Sequence, residues 1–383
     1  MKRLAVRLSC ALLAILLPAC GAGPDQVPGP KPPPPSPTPA ATTSATAAAS
    51  ATTPLPPQRP PLVEMQRAAL QSMVAAFNAH DAKKVAALYS PSVASGSPGP
   101  LGWEEESGTP AIEKGHEKLF AAFPDMKWMS PRAYVKGDVV VQEWVSNATH
   151  TGDLGSMKAT GKGTGIHGIS VYWFDEDGVI RRDHTYYDSA TIARQTGAMP
   201  GPARAIPALP AGDPQVIVSS GTPEEGKRVD AARAMYAAFS GKDEKVFLAA
   251  LDADVVQKVY SQPADQKGQK AAAEGWRAMQ KAFPDLKIEA TNVWGFGDRV
   301  VAEVTMTGTH QGALGAIQPT KKAVKLQSLD VLTFGKDDKI TAIETYGSSL
   351  SLLGQLGQLG GDKGAKTAPA QKAAPAQKPS PKK

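Results

Sequence analysis

Phe123-Pro124-Asp125 returns as Phe283-Pro284-Asp285, 160 residues further on, and that spacing limits what the chain can become. The same offset carries Gly137-Asp138 onto Gly297-Asp298, Thr149-His150 onto Thr309-His310, Leu154-Gly155 onto Leu314-Gly315, and Tyr186 onto Tyr346. The match runs without a gap from Gly115 to Gly197. Upstream, Ala75-Ala76-Phe77 aligns with Ala237-Ala238-Phe239 at an offset of 162, so a loop near 95–110 is two residues longer in the first copy. A correspondence this long is a duplication, and the fold must be one domain built twice. The copies span 62–200 and 224–358, each near the commonest domain size. Residues 201–223, rich in Pro, Gly and Ala, read as a linker.

Within a copy, Met65, Ala69, Met73 and Phe77 fall at helical spacing, and Asp81 is placed to cap a second helix through Leu88. A third helix over 111–122 stops before Pro124. Period-two segments follow at 133–136, 138–150, 164–175 and 179–188, with Gly137-Asp138 and Asp177-Gly178 as turns. A short helix at 189–196 closes the copy. Helices first and antiparallel strands after predict an α+β domain with helices on one face of the sheet.

The flanks have another composition. Residues 1–19 begin with Lys2 and Arg3, continue through the apolar run Leu8–Leu17, and end at Ala19 before Cys20. The run is too short for the ~20 residues that span a bilayer and reads as a secretory signal. Ala19-Cys20-Gly21 resembles the lipobox of bacterial lipoproteins, which implies cleavage before Cys20 and lipidation of its sulfur; an ordinary signal with an incidental cysteine is the alternative. The chain has two cysteines, and Cys10 leaves with the signal, so the mature protein has neither a disulfide nor a cysteine metal site. Residues 20–61 read as a disordered Pro/Ala/Thr tether, since 14 of the 34 prolines fall in 21–61. Residues 359–383 read as a disordered Lys/Ala/Pro tail. The net charge of +6 comes from the leader and this tail. What lies between is mildly acidic, which argues against a nucleic-acid partner.

The succession of helices, Phe-Pro-Asp-hydrophobic, Gly-Asp-x-Val-Val, Thr-His-x-Gly-x-Leu-Gly, Phe-x-x-Asp and a final Gln-x-Gly resembles the SnoaL-like polyketide cyclases of the nuclear transport factor 2-like superfamily. Thr309-His310-Gln311-Gly312-Ala313-Leu314-Gly315 is the cleaner instance. The resemblance covers both copies and none of the leader, linkers or tail. It implies two tandem cone-shaped domains. It also implies acid/base chemistry by a carboxylate helped by a histidine, with no metal and no cofactor, and a small hydrophobic ligand.

Strand alternation then nominates residues for the concave face. On the last strand of copy one, Ile180, Arg182, His184, Tyr186 and Asp188 share a side; in copy two Ile340, Ala342, Glu344, Tyr346 and Ser348 correspond. The preceding strands add Trp144, Tyr172 and His150 in copy one, with Asp330, Leu332 and His310 in copy two. Candidate acid/base groups are therefore Asp188 and His184 in copy one, and Asp330 and Glu344 in copy two. Candidate ligand contacts are Trp144, His150, Tyr172, Tyr186, His310 and Tyr346. A carboxyl half buried in an apolar cup has its pKa raised toward neutrality, which suits this work. Plainer roles compete: Asp188 and Ser348 as helix N-caps, His150 and His310 as backbone hydrogen-bonders, the tyrosines as core.

Gly161-Lys162-Gly163-Thr164-Gly165 lies between strands and reads as a hairpin loop, not a phosphate loop. The run Glu104–Glu106 reads as a solvated loop. No histidine spacing suggests a metal site. Two functions remain open. One is an exported lipoprotein, anchored to the cell-envelope membrane, whose cavities bind a small hydrophobic molecule. The other is a cofactor-independent cyclase or isomerase of a polyketide-like carbonyl compound. The residues leave open whether the copies pair with each other or with other chains.

Overall fold

The computed structural model describes residues 59–359 apart from Ser156. The signal, Cys20, most of the tether and the tail lie outside the described residues. In the first copy the chain forms α1 (Leu62–Asn78), α2 (Ala82–Ala86), β1 (Tyr89–Gly99), β2 (Gly102–Ser107), α3 (Thr109–Ala122), β3 (Lys127–Lys136), β4 (Val139–Thr149), β5 (Gly163–Phe174), β6 (Ile180–Tyr187) and α4 (Ser189–Thr196). β7 (Gln215–Val218) follows. The second copy repeats the plan as α5 (Pro223–Gly241), α6 (Glu244–Ala249), β8 (Leu251–Val259), β9 (Gln266–Lys267), α7 (Gly268–Ala282), β10 (Lys287–Phe296), β11 (Arg299–Thr309), β12 (Ala323–Phe334), β13 (Ile340–Gly347) and α8 (Ser349–Gln355). No helix among the described residues is long and apolar enough to cross a membrane.

Local chemistry explains the boundaries. Asp81 accepts from Lys84 N and opens α2, and Asp243 accepts from Val246 N to open α6. Gly137 (φ 60°) and Gly297 (φ 62°) take the left-handed conformation needed for the tight turns between β3 and β4 and between β10 and β11. β1 and β2 were not foreseen. Pro91, Pro98 and a Ser/Gly-rich composition lower strand propensity, but this hairpin runs along the sheet edge, where such residues are tolerated. Glu104–Glu106 belongs to β2 rather than to a loop.

The first sheet has the order β2-β1-β6-β5-β4-β3-β7 and the second β10-β11-β12-β13-β8-β9. Pairing is antiparallel except β1 with β6, β3 with β7, and β8 with β13. Each copy is an α+β domain with its helices on one face of a curved sheet. In copy one that face buries Leu70, Met73, Val85, Phe120, Phe123 and Trp128 under the helices.

The opposite faces of the two sheets meet. Tyr134, Val141, Ile169 and Val171 of the first pack with Phe296, Val301, Leu329 and Val331 of the second, all fully buried. The segment 201–223, read as a linker, is built into this seam. β7 extends the first sheet beside β3, Asn147 donates to Pro207 O at 2.9 Å, and Arg204 lies over the Tyr260 ring and pairs with Asp265.

Candidate functional site

The helix-covered face of the first sheet encloses a cavity of about 360 Å³. Its walls are mostly apolar: Phe77 from α1, Ile112 and Leu119 from α3, and Trp128, Trp144 and Tyr172 from the sheet. Ala, Gly and small polar residues at Ala111, Gly115, Ser146 and Ala148 leave the space open.

Its polar floor comes from β5 and β6. In the register of these strands Tyr172 lies opposite Asp183, Ser170 opposite Thr185, and Gly168 opposite Tyr187, so these residues share the concave side. Trp144 Nε1 donates to Ser170 Oγ at 3.1 Å, Ser170 Oγ is 2.9 Å from Thr185 Oγ1, and Thr185 Oγ1 donates to Asp183 Oδ2 at 3.5 Å. Asp183 is 4% exposed, and among the described residues its Oδ1 has no hydrogen-bond partner. Burial pushes its pKa up to about 6, against the smaller opposing effects of Ser95, His184 and Thr185. His116, on α3, donates from Nδ1 to Ile112 O at 2.7 Å, which leaves Nε2 as an acceptor; burial lowers its pKa. Glu104 and Glu106 stand at the rim.

Trp144 and Tyr172 line the cavity, but the alternation expected along the last strand fails. Phe174 pairs with Ile180 and Trp173 with Arg182, so Arg181 is an extra residue, a β-bulge. Beyond it every side chain changes face. Ile180 points into the core, whereas His184 and Tyr186 point into the seam. There His184 Nδ1 donates to Glu303 Oε1 at 2.6 Å and Tyr186 Oη to the same atom at 2.7 Å. Asp183, Thr185 and Tyr187 take the concave positions assigned to them. Asp183 was therefore missed, although a signal was present: Arg181-Arg182 would put one arginine into the core of a regular strand.

The same bulge occurs at Thr341 in copy two. Asp330 lies opposite Thr345 on the concave side, and Glu344 lies opposite Val331 on the seam side. The two carboxyls expected to share one cavity are on opposite faces of the sheet. Glu344 accepts from Lys258 Nζ at 2.8 Å, and Tyr346 is buried in the seam with Tyr260. Asp330 accepts from Tyr236 Oη at 2.8 Å, and burial raises its pKa to about 6.

Asp188 accepts from Thr191 N at 3.1 Å, capping α4, and from Ser349 N and Oγ at 2.9 Å, holding the start of α8. It does not pair with His184. His150 and His310 are buried beside the loops after β4 and β11, with Nδ1 3.2 and 3.1 Å from Thr160 Oγ1 and Thr320 Oγ1.

The copies differ where the chemistry would sit. Asp183 corresponds to Ile343, Trp144 to Val304, Tyr172 to Leu332 and Ser146 to Met306. In copy two Ile288, Met306, Leu326 and Leu352 gather around Phe283 and Leu286 as a hydrophobic cluster. Among the described residues no group of three or more His, Cys, Asp or Glu is placed to hold a metal ion.

The family model of the SnoaL-like polyketide cyclase matches residues 67–196 and again 229–356. A search of curated proteins finds no match. Solved structures similar to one copy include AclR from Streptomyces galilaeus, 26% identical over 36% of this chain and 89% of its own, with a TM-score of 0.33. A SnoaL-like protein from Jannaschia sp. CCS1 is 17% identical over 37% of this chain and 99% of its own, with a TM-score of 0.35. IdmH from Streptomyces antibioticus is 20% identical over 34% of this chain and 99% of its own, with a TM-score of 0.31.

Proposed function

Because the chain belongs to the SnoaL-like polyketide cyclase family and carries that domain twice, we propose that its first copy works on a small, mainly apolar carbonyl compound by proton transfer. The observation that carries this reading is Asp183: a carboxyl enclosed by apolar walls, raised to about 6, with one oxygen free of partners. Such a group is ionised near neutrality yet holds a proton well enough to return it.

Asp183 Oδ1 takes a proton from the carbon next to the ligand carbonyl. The electron pair moves into the carbonyl, making an enolate. Ser170 Oγ, which accepts from Trp144, has its own hydrogen to turn to that charge, and Tyr187 and the neutral His116 complete the polar set. Return of the proton to another carbon isomerises the ligand; attack of the enolate on a second carbonyl closes a ring. Copy two, with Ile343 for Asp183, acts as the scaffold.

The chain works outside the cytoplasm on a lipid anchor at Cys20, with the Pro/Ala/Thr segment as spacer. Cys20→Ala moves the protein out of the membrane fraction if that is so.

α-Tetralone in D₂O tests the site. Exchange of its α-protons, followed by proton NMR, is faster with the protein and is lost in Asp183→Asn. Saturable shifts of the Trp144 indole signal with no exchange would make the first copy a binding domain only. Neither shift nor exchange with this or larger ketones would reject the cavity as the site.

A further inference from the structure

The duplication lets one half of the seam be compared with the other. In one half Glu143 and Glu344 face each other across the domains. Arg132 lies 3.3 Å from Glu143 and 3.9 Å from Glu344, and Lys258 Nζ is 2.8 Å from Glu344. Two carboxylates meet two cations. Tyr260 fills the remaining space, its ring 4.3 Å from His167 and 4.6 Å from Tyr346.

The repeat-related half is built from Glu303, His184 and Asn292 in place of Glu143, Glu344 and Arg132. Its cations are gone. Gly96 stands opposite His184 in register, as Lys258 stands opposite Glu344. The Trp103 indole covers Gly96 so closely that a β-carbon there would lie 2.3 Å from the ring. An open niche of about 180 Å³ remains, with Trp103, Tyr186, Glu303 and Gln327 among its walls.

Glu303 is 3% exposed. It accepts from His184 Nδ1, Tyr186 Oη and Asn292 Nδ2 at 2.6–2.7 Å, and among the described residues no lysine or arginine lies within ion-pair distance of it. Burial opposes its ionisation, but these hydrogen bonds and His184 outweigh it and hold its pKa below the ordinary carboxyl value. Arg182 Nε donates to His184 Nε2 at 3.2 Å. His184, Tyr186 and Asn292 hold the carboxylate, but among the described residues no lysine or arginine brings it a full positive charge. The other half of the seam supplies that charge from Lys258 and Arg132. Gln327 Oε1, also buried and unpartnered, adds a second acceptor.

We propose that the open niche binds a small organic cation, a primary or methylated alkylammonium, whose head answers Glu303 as Arg132 answers Glu143. The Trp103 and Tyr186 rings, with centroids 5.7 Å apart, offer the aromatic faces that favour such a head. The volume admits the head and a short alkyl stem, and both copies contribute residues.

The test is a titration of the full chain with n-butylammonium chloride, with n-butanol as the uncharged probe at matched ionic strength. The tryptophan indole N–H signals are followed by NMR. The expected result is a saturable shift of Trp103 by the ammonium, none by butanol, and none at Trp144 in the first-copy cavity. Glu303→Gln weakens binding by about tenfold or more, or about 1.4 kcal/mol. Should that variant fold poorly, Asn292→Arg restores the counterpart of Arg132 beside Glu303 and removes binding while leaving Glu303 and the Trp103 signal in place. Equal response to butanol, a response at Trp144 alone, unweakened binding in a folded Glu303→Gln, or no response to the ammonium would overturn the proposal. None of these outcomes bears on Asp183.

Discussion

Tyr186 of the first copy donates its hydroxyl to Glu303 of the second at 2.7 Å, whereas its repeat mate Tyr346 makes no such bond across the seam among the described residues. The tie between the domains is therefore asymmetric in chemistry. Tyr186→Phe removes one donor from a buried carboxylate, at a cost of about 1–3 kcal/mol. Urea denaturation of the two proteins measures the loss; a change within error would mean that water replaces the hydroxyl.

Glu303 also sets a pH dependence. Its pKa is lower folded than unfolded, so its contribution to stability is full above the unfolded value of about 4.5 and is lost as the pH falls through the folded one. Below pH ~4.5 the melting temperature of the wild type is expected to fall more steeply than that of Glu303→Gln.

The seam predicts how a single copy behaves. Residues 62–200 alone would present Tyr134, Val141, Ile169 and Val171 to water and would lack β7. Contiguous apolar surface of this kind drives association. Sedimentation is expected to find this fragment dimeric or aggregated, and calorimetry to find one cooperative transition for the whole chain. A stable monomeric fragment would show the seam to be weak.

Much of this was legible in the residues. The offset between Phe123 and Phe283 located both copies, and Asp81 and Gly137 placed a helix start and a hairpin turn. The site was half legible. Trp144 and Tyr172 precede the bulge and keep the phase of a regular strand. His184, Tyr186, Glu344 and Tyr346 follow it, and one extra residue turned each to the other face. Period-two counting has no term for a bulge, so the error moves all later residues together and puts Asp183, the carboxyl in the cavity, on the discarded side. The seam was illegible for a different reason: a face packed on a second sheet alternates as plainly as one packed on helices.

The repeat also marks Gly152 and Gly312 as sites of close backbone approach. Gly152 donates its N–H to Ala122 O at 3.0 Å, and a β-carbon there would lie 2.1 Å from Ala121 O, with the same 2.1 Å clash for Gly312 at Lys281 O. A backbone oxygen at a helix end cannot swing aside as a side chain would. Gly152→Ala or Gly312→Ala is expected to destabilise by about 1–3 kcal/mol, while Gly115→Ala, where a β-carbon meets nothing within 4 Å, is neutral or mildly stabilising. Thermal melts of the three variants compare them directly.

Asp183 separates stability from activity, because the proton it must give up is one the fold prefers to keep. Its pKa rises from the ordinary aspartate value of 3.8 to about 6 on folding, so the folded state binds the proton more tightly than the unfolded. The cost of ionising it is absent below the unfolded value, grows as pH rises from 3.8 to about 6, and is full above that, at roughly 2–3 kcal/mol. Asp183→Asn removes the charge and keeps the shape. The variant is therefore expected to melt higher than the wild type at pH 8 and level with it near pH 3.5. The proposed activity runs the other way, rising with pH through about 6 as the carboxylate forms and absent in the variant at every pH. Melting curves and α-tetralone exchange over the same pH series test both arms. A variant less stable than wild type at pH 8 would mean that Asp183 has cationic or donor partners that offset its burial, and a pH-independent exchange rate would assign the proton to another group.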